Sequence, residues 1–127
     1  MPMGDRKLPG IAAEDIGRCA YGIFKRGPEF RGKTVGISGE HLTGAEMASA
    51  LSDAVKREVR YNSVSPEEYR RLNVPGAEEL ANMFQFKRDF QDAFCSVRDV
   101  AFSRALNPSL QTFAMWLAKN KDCMPLG

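Results

Sequence analysis

The sequence lacks the features that mark several common protein classes. No apolar run approaches the roughly 20 residues of a membrane-spanning helix, and the charged, proline-broken N-terminus differs from a signal peptide. The single histidine and the three cysteines, Cys19, Cys95 and Cys123, have no metal-ligand spacing, which argues against a zinc site. We therefore expect no metal, no membrane partner, and three free thiols in a reducing compartment, the cytoplasm or, by diffusion, the nucleus.

A glycine-rich phosphate loop is also missing. The stretch 32–34, Gly-Lys-Thr, opens a predicted strand, whereas a phosphate loop follows a strand and starts a helix. Tyr21 and Lys25 have the Tyr-x-x-x-Lys spacing of short-chain dehydrogenases, but this spacing arises often by chance, and we interpret both as helix surface. His41, which has no partner motif, is interpreted as an exposed loop residue. The sequence thus predicts neither catalytic nor cofactor-binding residues.

Charge is nearly balanced in this chain. Eighteen basic and sixteen acidic residues give a formal net charge of +2. That small excess does not favour nucleic acid or an anionic membrane as a direct partner. The length and the ordinary composition predict a single domain over residues 1–127.

Helix signals dominate the sequence. Thr43 and Glu46 form a capping-box pattern, and Ser65, Pro66 and Glu68 repeat it. Asp99 is expected to cap a short helix that ends before Asn107, in a region that is otherwise ambiguous. The other predicted helices cover 14–25, 43–56, 66–72, 77–90 and 112–121. On the first of them, Ile16, Cys19, Ala20, Ile23 and Phe24 share a predicted buried face.

Two strands are predicted, at 33–38 and 58–64, and Leu8 with Ile11 suggests a third at an edge. The first two flank a helix, the strand-helix-strand order that extends a Rossmann-type parallel sheet. The fold class is therefore α+β, mostly helical, with strands built to join a sheet whose other half is absent. We expect half-exposed apolar side chains on these strands, and hence marginal stability or self-association of the chain alone.

Aromatic side chains concentrate in the fourth predicted helix and just beyond it, at Phe84, Phe86, Phe90 and Phe94. Phe84 and Phe86 cannot share one narrow helix face, so this helix is apolar on two sides. Plain core packing and contact with something outside the domain both remain open. The candidate cleft or partner surface consists of Asn82, Met83, Phe86, Lys87 and Phe90, with 82–87 as the wall facing a cleft.

Several stretches together resemble the C-terminal portion of the NmrA-like family, a branch of the atypical short-chain dehydrogenases. They are 12–17 (Ala-Ala-Glu-Asp-Ile-Gly), 32–61, 66–69, 75–86 and 106–108. The resemblance implies an N-terminal Rossmann domain that binds NADP(H) in full-length members, and no cofactor for this chain alone. Lys56 departs from the pattern, because the family usually has glycine at this helix end.

The family includes redox-sensing regulators that bind other proteins, and also reductases. The resemblance therefore implies, first, a truncated NmrA-like regulator that acts through a protein partner or through self-association. A fragment of an NAD(P)-dependent reductase is the second hypothesis. An independent helical binding module that uses the surface from Phe84 to Phe94 is the third.

Overall fold

The computed structural model describes residues 1–124, and most of them are helical. Within that range, seven α-helices accompany one two-stranded sheet, which confirms the mostly helical α+β class. The elements in chain order are β1 (Leu8–Gly10), α1 (Ala13–Arg26), β2 (Glu40–Leu42), α2 (Gly44–Val55), α3 (Pro66–Arg70), α4 (Ala77–Asp89), α5 (Gln91–Ser96), α6 (Val100–Leu106) and α7 (Phe113–Asn120). Single 3₁₀ turns follow α1 and α7.

The sheet pairs β1 with β2 in antiparallel fashion, with Leu8 opposite Leu42 and Gly10 opposite Glu40. The prediction of an edge strand near Leu8 is confirmed. The predicted strands at 33–38 and 58–64 are wrong, since neither segment forms a hydrogen-bonded ladder.

Hydrogen bonds to side chains, rather than to a neighbouring strand, involve the backbone in both of these segments. The Ser38 amide donates to the Ser103 hydroxyl at 2.9 Å, and the Val59 amide donates to the Ser52 hydroxyl at 2.8 Å. The Tyr61 hydroxyl donates to the Met1 carbonyl at 2.8 Å and so ties 58–64 to the N-terminal residues. Because no strand among residues 1–124 lies alongside, these bonds replace a ladder. Val35, Ile37, Val59 and Tyr61 are less exposed than the expected half, and Val35 and Ile37 pack against the core, so this expectation is wrong.

Helix ends follow the local sequence closely. The Thr43 side chain accepts from the Glu46 amide at 3.1 Å while the Glu46 carboxylate accepts from the Thr43 amide at 2.7 Å, and Ser65 with Glu68 forms the same box. Asp99 caps α6 by accepting from the Phe102 amide at 2.8 Å. Both predicted capping boxes and the predicted Asp99 cap are therefore confirmed.

The core lies where α1 packs against α6. Cys19, Leu106 and Leu110 are buried there, with Ile23, Val35, Ile37 and Phe102 among the side chains packed around them. The predicted buried face of α1 is only partly correct, because Ile16 is 49% exposed and Phe24 is 80% exposed. The reason is that α6 covers only a narrow strip of α1 around Cys19.

Lys56 adopts a left-handed conformation after α2, with φ 55° and ψ 33°. A side chain at this conformation costs about 1 kcal/mol, and glycine avoids that cost. We expect Lys56→Gly to raise the free energy of unfolding by about 0.5–1 kcal/mol, since glycine's freedom in the unfolded chain offsets part of the gain. Thermal unfolding followed by circular dichroism measures the change. Lys56→Ala keeps Cβ and should gain nothing, so an equal gain in that variant would contradict the explanation.

Candidate functional site

Three aromatic rings form a cluster where α4 meets α5. The Phe86 ring lies 5.1 Å from that of Phe90 and 6.4 Å from that of Phe94, between centroids. The helix breaks at Phe90, with φ −114°, and α5 then places the Phe94 ring beside that of Phe86. Phe86 is 54% exposed and Phe90 is 57% exposed. We call Phe86, Phe90 and Phe94 the aromatic surface.

Two cations lie over this surface. The Arg98 guanidinium carbon is 3.7 Å from the centroid of the Phe94 ring, and the Lys87 ammonium nitrogen is 5.3 Å from the same centroid. Arg98 also donates to the Phe94 carbonyl at 3.0 Å, which holds its side chain in place. Burial lowers the pKa of Lys87, and the nearby positive charge of Arg98 lowers it further. Aromatic rings beside arginine are the composition found at the energetic centres of protein interfaces.

The structure brings together three of the five residues proposed from the sequence. Phe86, Lys87 and Phe90 meet around Phe94. Asn82 instead engages α3, because its carboxamide oxygen accepts from the Arg70 guanidinium at 2.8 Å, and Met83 is 37% exposed on α4. Arg98 was missed by sequence reasoning, although its position continues the four-residue spacing of 86, 90 and 94 and so carries a detectable signal.

A buried carboxylate holds α1 to the segment that leads into α7. Asp15 is fully buried and accepts from the Gln111 amide at 2.8 Å, the Arg18 guanidinium at 2.9 Å and the Asn107 carboxamide at 3.0 Å. Burial alone would raise the pKa of Asp15, but the bonds from Gln111, Arg18 and Asn107 outweigh it and hold that pKa below its ordinary value. The carboxylate is therefore ionised at neutral pH and its acceptor positions are satisfied.

A cleft of about 520 Å³ lies between β1, β2, the first turn of α1, Met47 of α2 and the N-terminal half of α7. Its walls come from residues 8–14, 39–47 and 111–120, which are far apart in sequence. Sequence reasoning missed the cleft for that reason. We call it the β1–α7 cleft.

The remaining hypotheses from the sequence concern residues outside the aromatic surface, the Asp15 site and the β1–α7 cleft. Lys25 lies with its ammonium 5.7 Å from the Tyr21 ring centroid on the exposed side of α1, as expected of helix surface. His41 is not an exposed loop residue but a half-buried part of β2, whose Nε2 lies 2.8 Å from the Arg98 carbonyl oxygen. All three cysteines are free thiols, as predicted. Within residues 1–124 no cluster of ligating side chains suits a metal ion, and no helix is long and apolar enough to cross a membrane.

The chain is similar to proteins of one family. The sequence profile of the NmrA-like family matches residues 1–117. Prestalk A differentiation protein A of Dictyostelium discoideum is 26% identical over 103 residues, which cover 76% of this chain and 34% of that protein. A structure described as a nucleoside-diphosphate-sugar epimerase from Staphylococcus aureus is 27% identical, with a TM-score of 0.72 over 92% of this chain and 42% of its own.

A likeness at the level of the fold extends to NmrA, a negative transcriptional regulator solved with NAD and with NADP. Each of these two structures is 23% identical, with a TM-score of 0.67 over 94% of this chain and 40% of its own. The chain thus spans less than half the length of each relative. Because the family profile covers nearly the whole sequence, this chain belongs to the NmrA-like family.

Proposed function

We propose that this chain is the C-terminal, partner-binding part of an NmrA-like regulator and that it acts through protein contacts rather than by catalysis. Two facts support this reading. The chain spans 34–42% of its relatives, and NmrA, a negative transcriptional regulator, was solved with NAD and NADP. In the proposal, a dinucleotide binds only when an N-terminal Rossmann half is present, and the redox state of that NADP(H) sets whether the partner is bound. Such a regulator would act in the cytoplasm or the nucleus.

The observation that carries the proposal is the exposure of the aromatic surface. Phe86 and Phe90 each expose more than half of their side chains while Arg98 and Lys87 lie over the neighbouring Phe94. A phenylalanine buries roughly 150–250 Å², so covering the exposed parts of both rings would remove about 170–280 Å² from water. At about 25 cal/mol per Å², this is a gross gain of about 4–7 kcal/mol, from which the entropy cost of association must be subtracted.

A pull-down with matched baits tests the proposal. The double variant Phe86→Ala, Phe90→Ala should lose at least about tenfold of a protein that the wild-type bait retains, because truncated aromatic anchors typically cost 2 kcal/mol or more. Phe24→Ala is the control, since Phe24 is 80% exposed but lies on α1. Calorimetry with the purified partner then measures the affinity, and sedimentation velocity shows whether that partner is a second copy. Equal retention by the wild-type and double-variant baits would contradict the proposal.

A second candidate is that the chain is part of an NAD(P)-dependent reductase of the short-chain dehydrogenase superfamily. The likeness to the structure described as a nucleoside-diphosphate-sugar epimerase favours an enzymatic relative, because that structure has the highest TM-score of those compared above. Titration of the purified chain with NADPH tests whether this chain binds a dinucleotide by itself. Micromolar binding would support an enzyme or redox-sensor role for the chain alone, and we expect none.

A further inference from the structure

The β1–α7 cleft has an apolar interior. Leu8, Ile11, Leu42, Met47, Phe113 and Trp116 line it, and its volume of about 520 Å³ falls in the range of small-molecule sites. The side chains come from both strands and from two helices, so the cavity depends on the tertiary fold.

Two carboxylates at the cleft are fixed in place. A Glu40 oxygen accepts from the Phe113 amide at 2.6 Å, and a Glu14 oxygen accepts from the Gln111 carboxamide at 3.0 Å. A carboxylate offers about four acceptor positions on its two oxygens, so each of these bonds leaves capacity for a ligand. The bonds from Gln111 and from its own backbone lower the pKa of Glu14, which is therefore ionised at neutral pH.

The cleft has a negative charge in a chain whose net charge is positive. Glu14 and Glu40 are the acids among the described residues that line it, and none of those residues is lysine or arginine. The N-termini of α1 and α7 lie at the cleft and offset part of this negative charge, while Asn120 at the opposite end of α7 also lines it. Two cations lie nearby without lining the cleft: the Lys119 ammonium, bonded at 3.0 Å to the Gln111 carboxamide oxygen, and Arg18, whose charge helps to lower the pKa of Glu14.

We propose that the β1–α7 cleft binds a small amphipathic organic cation, with an aromatic or aliphatic body and an amine head. The body would fill the apolar interior beside Trp116, whose ring offers both dispersion contacts and attraction for a cation. The amine would donate to the free acceptor positions of Glu14 and Glu40. The same charge disfavours a pyrophosphate, so this site differs from a dinucleotide site and is independent of the partner surface proposed above.

Three probes that share one apolar body and differ only in the head group test the charge preference of the cleft. They are 4-phenylbutylamine, 4-phenylbutanol and 4-phenylbutyrate, titrated against the full chain at low ionic strength. Trp116 is the single tryptophan of the protein and lines the cleft, so its fluorescence reports binding there. We expect the amine to bind at least about tenfold more tightly than the carboxylate, with the alcohol between them, and added salt should narrow the difference.

Charge-removing variants locate the site. Glu14→Gln and Glu40→Gln keep an acceptor oxygen and should each reduce the amine-to-carboxylate preference at least about threefold. Glu58→Gln is the control, because Glu58 pairs with Arg60 and does not line the cleft. Equal binding of amine and carboxylate by the wild-type chain, or no fluorescence change up to millimolar amine, would overturn the proposal even if a variant failed to fold.

Discussion

Replacing Asp15 by alanine is expected to destabilise the chain by about 3–5 kcal/mol. The substitution removes one buried acceptor group and leaves the Gln111 amide and the Asn107 carboxamide facing a void without a partner. The total free energy of unfolding of a domain is only about 5–15 kcal/mol. Chemical denaturation followed by circular dichroism should therefore show a large fall in the midpoint, or loss of the cooperative transition.

Two further variants make the Asp15 result interpretable. Asp5→Ala removes a carboxylate whose side chain is 98% exposed, and its free energy of unfolding should stay within about 0.5 kcal/mol of wild type. Asp15→Asn keeps the shape but turns one acceptor oxygen into a donor that faces other donors, so an intermediate loss is expected. If Asp15→Ala unfolded within about 1 kcal/mol of wild type, the buried carboxylate would not hold α1 to residues 107–111.

The same carboxylate predicts how stability depends on pH. Because the pKa of Asp15 is lower in the folded than in the unfolded chain, its stabilisation is fully present above the unfolded value of about 3.9 and is lost as pH falls through the folded value. The amides of Thr43 and Ser65 likewise lower the pKa of Glu46 and Glu68, so these acids lose their contributions in the same acid range. Comparing acid unfolding of wild type and Asp15→Asn isolates the part due to Asp15, and the variant should show the shallower decline.

What the sequence predicts correctly is mostly local. The capping boxes at Thr43 and Ser65 depend on residues that are three positions apart in the sequence. The left-handed conformation of Lys56 follows from its position directly after α2. Asp15 lies in the first turn of α1, where an acid favours the helix whether or not it is buried. Its partners Asn107 and Gln111 are 92 and 96 positions away, so no local pattern reveals its burial.

The missed features share this dependence on distant segments. The strand pattern at 33–38 is real, but a strand needs a neighbouring strand, and Ser103 and the Val97 backbone take that place here. Phe86 and Phe90 were found because their spacing is helical, whereas the approach of Phe94 to Phe86 and Lys87 requires the α4–α5 break. The β1–α7 cleft depends on three separate segments, so only the tertiary structure shows it.

Two glycines of the same helix should respond to alanine with opposite signs. Both Gly17 and Gly22 lie inside α1, where alanine gains about 0.5–1 kcal/mol over glycine from backbone entropy. A Cβ at Gly17 meets open space, so Gly17→Ala should raise the free energy of unfolding by that amount. A Cβ at Gly22 would overlap the Leu106 carbonyl oxygen and lie 2.9 Å from its carbon.

Gly22→Ala must therefore push α6 away from α1 and disturb the packing of Cys19 against Leu106. Overpacking of this kind costs about 1–3 kcal/mol or more, so a net loss of about 2 kcal/mol is expected after the helix-propensity gain. Denaturant unfolding of the two variants gives the difference directly, with wild type between them. Because the helix and the substitution are identical, the gap between Gly17→Ala and Gly22→Ala measures the close approach of α1 to α6. If both variants were stabilised alike, the two helices would not meet at Gly22, and the core around Cys19 and Leu106 would have to be arranged differently.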